Sequence, residues 1–159
     1  KEFLKAANEY TAKGSVAAIG RGSSQRSGMA ERKATARART GIAQAYEVKV
    51  ENLTKDFQEE LGEDFDVEYN EAFSTATKQI TNKVLQGTTP VQIDYMDITL
   101  NGKSGFKCYS LVAVNLSLLN QSLMDEIEVK NKKLYERFRA SEAFKELDAE
   151  IDAIDTGEE

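Results

Sequence analysis

The stretch from Met29 to Leu61 contains no proline, and Ala30, Ala34, Ala38, Ile42, Ala45, Tyr46, Leu53, Phe57 and Leu61 follow one another mostly in steps of three or four. That spacing is one face of an α-helix, so the sequence predicts a single long helix there. The first half of the face is made of small residues: Ala30, Ala34, Ala38, Gly41 and Ala45. Such a stripe lets a helix backbone come close to a sheet, whereas Leu53, Phe57 and Leu61 fill a wider gap farther along. Gly62 supplies the stop. Whatever else the chain does, it must build a core around this rod.

The neighbouring segments supply the partners. Lys1 to Lys13 reads as a short helical or irregular lead-in with Phe3, Leu4 and Tyr10 available to dock, ended by Gly14. Ser15 to Gly22 is short, β-compatible and bounded by glycines, a first strand, with Ser23, Ser24 and Ser27 as loop and cap chemistry. A second helix is predicted from about Val67 to Gln86, with Tyr69, Phe73, Ala76, Ile80 and Val84 on one side. Gly87 ends it, and Thr88-Thr89-Pro90 forces an extended exit. Val91, Ile93 and Tyr95 alternate with Gln92, Asp94 and Met96, and the parity then moves to Met96, Ile98 and Leu100, which predicts a bulge near Tyr95 and Met96. Asn101-Gly102-Lys103-Ser104-Gly105 is a hairpin turn signal. Phe106 to Leu116 follows, apolar on both sides at Leu111 to Val114, as a central strand must be.

Ser117 is the expected cap of a third helix running to about Ile154 through Leu119, Leu123, Ile127, Leu134, Phe138, Phe144, Leu147, Ile151 and Ile154. Unbroken, it would extend about 57 Å, more than one domain of this size covers, so part of it should meet a partner outside its own core. Phe138, Phe144, Leu147, Ile151 and Ile154 are the expected contact residues. A break near Ala140 and Ser141, folding the distal third back, is the alternative. The expected class is thus α+β, with a domain over residues 1–128 and a helical extension with an acidic tail over residues 129–159.

Charge and composition bound the function. The chain has 159 residues, a formal charge of -6 and a pI near 4.9, which argues against a broad nucleic-acid-binding face. The charge is polarised. Arg21, Arg26, Arg32, Lys33, Arg37 and Arg39 face only Glu31 in their stretch, while Asp148 to Glu159 is acidic throughout its charged positions. Such polarity favours head-to-tail association or contact with an anionic surface, or is simply two solvated faces. There is no histidine, which excludes Ser-His and Cys-His catalysis and histidine-held zinc. The lone Cys108 leaves no intrachain disulfide and reads as a core thiol. No apolar run approaches the roughly 18 residues of a membrane span. The start at Lys1, without methionine or signal peptide, suggests a targeting segment upstream.

Gly20-Arg21-Gly22 before a helix lacks the spacing and the Lys-Ser/Thr ending of a phosphate loop. Asp94 and Asp97, three apart on a strand, point to opposite faces and suit edge solubility better than paired carboxylate chemistry. Glu59, Glu60, Glu63, Asp64, Asp66 and Glu68 do not follow the calcium-loop pattern. No cofactor or metal is implied.

Ala34-Thr35-Ala36-Arg37-Ala38-Arg39 with Ile42-Ala43 after it, and Gly105 to Leu116 followed by the Ser117 helix start, resemble the small outer-membrane lipoproteins typified by the Helicobacter protein lpp-twenty and related to the flagellar lipoprotein FlgP. The likeness covers roughly residues 14 to 128. It implies a dodecin-like arrangement, a three-stranded antiparallel sheet wrapped around the long helix, in an envelope protein whose lipid-bearing cysteine lies upstream of Lys1. The flagellar relative looks like a component of ring or disk assemblies near the outer membrane. The segment from about Val129 departs from the pattern. The expected function is therefore non-enzymatic: self-assembly, or docking on an envelope partner, at the outer membrane. The rival is a small-ligand carrier with a pocket between sheet and first long helix near Ala38, Ile42, Tyr95 and Val112, which a cavity there would favour.

Overall fold

The computed structural model describes the backbone of residues 2–157 and the side chains of residues 2–149. Its elements run α1 (Glu2–Ala12), β1 (Ser15–Ser24), α2 (Ser27–Leu61), a 3-10 turn (Gly62–Asp64), α3 (Val67–Gly87), β2 (Pro90–Leu100), β3 (Lys103–Asn115), α4 (Leu116–Lys130), α5 (Lys132–Arg139) and α6 (Glu142–Gly157). The class is α+β, with a three-stranded antiparallel sheet ordered β1-β3-β2. The apolar Leu111 to Val114 run does belong to the central strand. Asn101 and Gly102 form the hairpin turn at φ 51° and 79°, the left-handed pair that a two-residue loop with matching twist requires.

The small-residue stripe explains how α2 meets the sheet. A β-carbon placed on Gly20 would lie 1.9 Å from the Ala34 carbonyl oxygen and 2.5 Å from the Ala38 nitrogen, and one on Gly22 would lie 2.6 Å from the Ala30 oxygen. Strand backbone therefore rests directly on helix backbone. Neither partner tolerates a larger residue there, since Ala30, Ala34 and Ala38 are fully buried. Thr35 and Ser110, their hydroxyls 3.0 Å apart, tie the same helix face to the central strand. Gly20-Arg21-Gly22 is thus a packing device, not a phosphate cradle.

Beyond the sheet, α2 enters a helical layer. Phe57, Phe73 and Phe138 meet edge-to-face, with ring centroids 5.2 to 5.9 Å apart, and Phe144 lies 5.6 Å from Phe138. Gly62 ends α2 at φ 57°, and the Asp66 carboxylate accepts the Tyr69 N–H at 2.9 Å to start α3. At the other end of α3, Arg39 donates to the Thr88 carbonyl and hydroxyl oxygens and to Leu85 O. A cation from the basic stretch thereby caps the last turn, where carbonyls lack helical partners.

Three expectations are corrected. The β2 register shifts between Pro90 and Gln92, not at Tyr95 and Met96. The change of apolar parity there arises because Ile93 faces α2, in contact with the Ala30, Ala34 and Cys108 cluster, while Met96 lies on the outer face. The cap of α4 is Asn115, whose side chain accepts the Ser117 N–H at 2.9 Å. The continuous terminal helix is three helices. Asn131 leaves helical geometry at φ -158° and caps α5 by accepting from Leu134 N–H. Ser141 then accepts from Phe144 N–H at 3.1 Å to start α6. The predicted break at Ala140 and Ser141 is present, and a second stands at Asn131.

Two backbone amides of the last helix are held from a distance. Glu60, at the end of α2, accepts from Ala143 N–H at 2.7 Å and Glu142 N–H at 3.1 Å. A carboxylate at a helix N-terminus satisfies orphan donors and meets the positive end of the dipole. The core is continuous from Ala38 to Leu147 and includes Leu134, Phe138 and Ala143, so the segment after residue 128 packs into the same unit.

Gly20→Ala should lose about 3 kcal/mol in urea unfolding, at the upper end of overpacking costs because the clash is with backbone. Gly28→Ala, with open space around the added carbon, should instead gain up to about 1 kcal/mol. Glu60→Ala should cost about 1 kcal/mol, with faster hydrogen exchange at the Glu142 and Ala143 amides.

Candidate interaction surface

Two of the five residues expected to contact a partner, Phe138 and Leu147, lie inside. Phe138 is fully buried at the centre of the aromatic cluster, Leu147 is buried in the core, and Phe144 is half-buried against it. Ile151 and Ile154 lie outside the residues whose side chains are described. The described part of this stripe, Leu134, Phe138, Phe144 and Leu147, packs into the chain's own helical layer.

The expected carrier pocket is filled. Ala38, Ile42 and Val112 are fully buried in one cluster, with Val16 and Ala18 packed against it. Tyr95 is on the surface, and the close approach of β1 to α2 leaves no gap between them.

An open surface lies on the other side of the sheet. Paired residues in antiparallel strands share a face. Arg21, Tyr109 and Asp94 pair across the three strands and are therefore on the same side, as are Ile19 and Leu111. This face is opposite the one that carries Ser110 toward α2. Helix α1 covers it only in part, with the Phe3 ring 6.0 Å from Tyr109. Beside that contact is a cavity of about 560 Å³ lined by the apolar Phe3, Leu4, Ile19, Met96 and Tyr109 together with the charged Glu2, Arg21 and Asp94. Leu4 and Met96 are 62% and 52% exposed, so two large apolar side chains face solvent across one groove. The signal in the sequence was the lead-in with Phe3 and Leu4 and the shift of strand parity to Met96.

Several of the polar candidates have structural employment. Of the basic stretch, Lys33 donates to Ser23 O, Arg37 to Arg21 O and Arg39 to Thr88. Of the acidic loop, Glu60 and Asp66 cap helices, and no cluster of three or more possible metal-binding side chains occurs among the described residues. Cys108 is buried, which pushes its thiol up from the ordinary value, with the Glu31 and Asp94 charges adding to the effect. It is a poor nucleophile. No described helix is long and apolar enough to cross a membrane.

Tyr95 is strongly perturbed. Its hydroxyl donates to the Glu31 carboxylate at 2.5 Å, and this bond, ahead of desolvation and the carboxylate charge, pushes the phenol up to about 12. It joins the edge strand β2 to the start of α2.

Protein-family models, curated proteins and solved structures all give no match to this chain.

An ultraviolet titration should find Tyr95 ionising near pH 12, returning toward 10 in Glu31→Gln. Because the folded phenol holds its proton more tightly than the unfolded one, the contact stabilises fully below pH 10 and its contribution disappears as pH rises from 10 to about 12. The difference between wild-type and Glu31→Gln unfolding midpoints should shrink over that window.

Proposed function

We propose that this chain is a non-catalytic domain of the bacterial cell envelope, held at the outer membrane by a lipid anchor upstream, that works by self-association or by docking on an envelope protein. The observation that carries the docking part is the groove beside α1, where Leu4 and Met96 stay exposed in a lining shared with Phe3, Ile19 and Tyr109. Contiguous exposed apolar side chains with a polar edge are the usual mark of a protein contact. Arg21, Asp94 and Glu2 also line this groove and supply its charged groups. In this reading the docking surface is the outer face of the sheet, not the terminal helix.

The envelope and lipid-anchor parts rest on the resemblance of residues 14 to 128 to the lipoproteins. In this reading, the sheet lying along α2 is the shared dodecin-like part. The helical layer of α3 to α6 is what this chain adds.

Sedimentation velocity over a concentration series tests the docking reading. Wild-type protein should associate, and Leu4→Ser/Met96→Ser should shift to monomer with an unchanged Tm, since both side chains are more than half exposed. A wild-type chain that stays monomeric at millimolar concentration, and whose extraction from envelope fractions the double variant leaves unchanged, would refute it. Native mass spectrometry separates the carrier reading: a co-purifying small molecule lost in Met96→Ser would assign the groove to a ligand, for which its volume is of ordinary size.

A further inference from the structure

Strand β2 is an edge of the sheet, because the order β1-β3-β2 gives it a neighbour on one side only. The two-residue turn makes Leu100 and Lys103 a bonded pair, and alternation then turns the backbone groups of Thr99, Asp97, Tyr95 and Ile93 away from β3. Such a row is a template for another strand. Val91, Tyr95 and Met96 along it are 44%, 45% and 52% exposed, so the strand lies at the surface.

One donor in the middle of the row is occupied. The Asp94 carboxylate accepts the Tyr95 N–H at 3.0 Å. The position matters because of symmetry. Two copies of β2 can pair antiparallel about a two-fold axis at Met96, which sets Tyr95 opposite Asp97 of the second copy and Asp94 opposite its Ile98. No like charges then stand directly opposite. The bonded pairs nearest the axis are Tyr95 with Asp97 and their symmetry mates, so the amide that Asp94 holds is needed twice in every dimer.

We infer that Asp94 is an edge guard, an autoinhibitory contact that keeps β2 from joining β2 of a second copy into a six-stranded sheet. The inference is independent of the groove, since strand pairing uses main-chain groups and not Leu4 or the Met96 side chain. Breaking the guard frees two donors per dimer, and two modest hydrogen bonds tighten self-association by about tenfold or more.

The test is best made in the Leu4→Ser/Met96→Ser background, so that association through the groove does not register. There, Asp94→Ala should dimerise in sedimentation velocity at concentrations where its parent is monomeric. Hydrogen exchange should slow at the Tyr95 and Asp97 amides. Asp94→Asn, which keeps an acceptor oxygen but no charge, should stay monomeric. If Asp94→Ala remains monomeric with the Tm of its parent, or if Asp94→Asn dimerises equally well, the hydrogen-bond guard is refuted, the latter result assigning the effect to charge alone. Both substitutions are at an exposed edge position, so the fold survives them.

Discussion

The contact of β1 with α2 backbone at Gly20 and Gly22 governs the rest of the architecture. A helix and a strand normally stand apart by the thickness of their side chains. Here Ala30, Ala34 and Ala38 on one partner and two glycines on the other remove that thickness, and the Gly20 position lies against the Ala34 carbonyl. Since the pleat allows only one face of β1 to make this contact, the register with β3 and the direction of every side chain in the sheet follow from it. Ser110 and Cys108 must point at α2, and Tyr109 and Leu111 must point away. The outer face, with its groove, is defined by the same choice.

The second half of α2 solves a different packing problem. Larger residues keep its neighbours at ordinary distance, and the aromatic cluster of Phe57, Phe73 and Phe138 brings together helices far apart in sequence. Aromatic pairs prefer such edge-to-face geometry. Once Phe138 is drawn in, the segment around it cannot continue as a straight rod. Asn131 and Ser141 provide the two joints, and Glu60 receives the helix that emerges from the second.

Much of this was legible from residue spacing. The long helix, the hairpin turn at Asn101-Gly102 and the central position of the Leu111 to Val114 strand all follow from local patterns that tertiary packing reinforces. The stripe of small residues also announced a close approach to a sheet. What could not be read was which apolar stripe would meet which. Phe138 and Leu147 carry the same periodicity whether they face a foreign partner or Phe57, because a 3.6-residue repeat records a buried face and not its occupant. Likewise Asn131 is a cap only once the helix breaks there. Both the broken and unbroken readings fit the polar interruptions, and the energy of the aromatic cluster decides between them. The groove was half visible: Met96 stood out by its parity, but the reason was that Ile93 faces α2 while Met96 lies on the outer face, rather than a bulge.

The sheet order has a bearing on synthesis. Strand β1 pairs only with β3, so Ser15 waits for Asn115 before its ladder can form. Emerging from a ribosome, the glycine-bearing strand meets the alanines of α2 long before it meets its hydrogen-bonding neighbour. Local contacts close with little loss of chain entropy and distant ones with more. Closing β1 against α2 therefore costs less chain entropy than closing it against β3, and the sheet is complete only once the β2–β3 hairpin has been made.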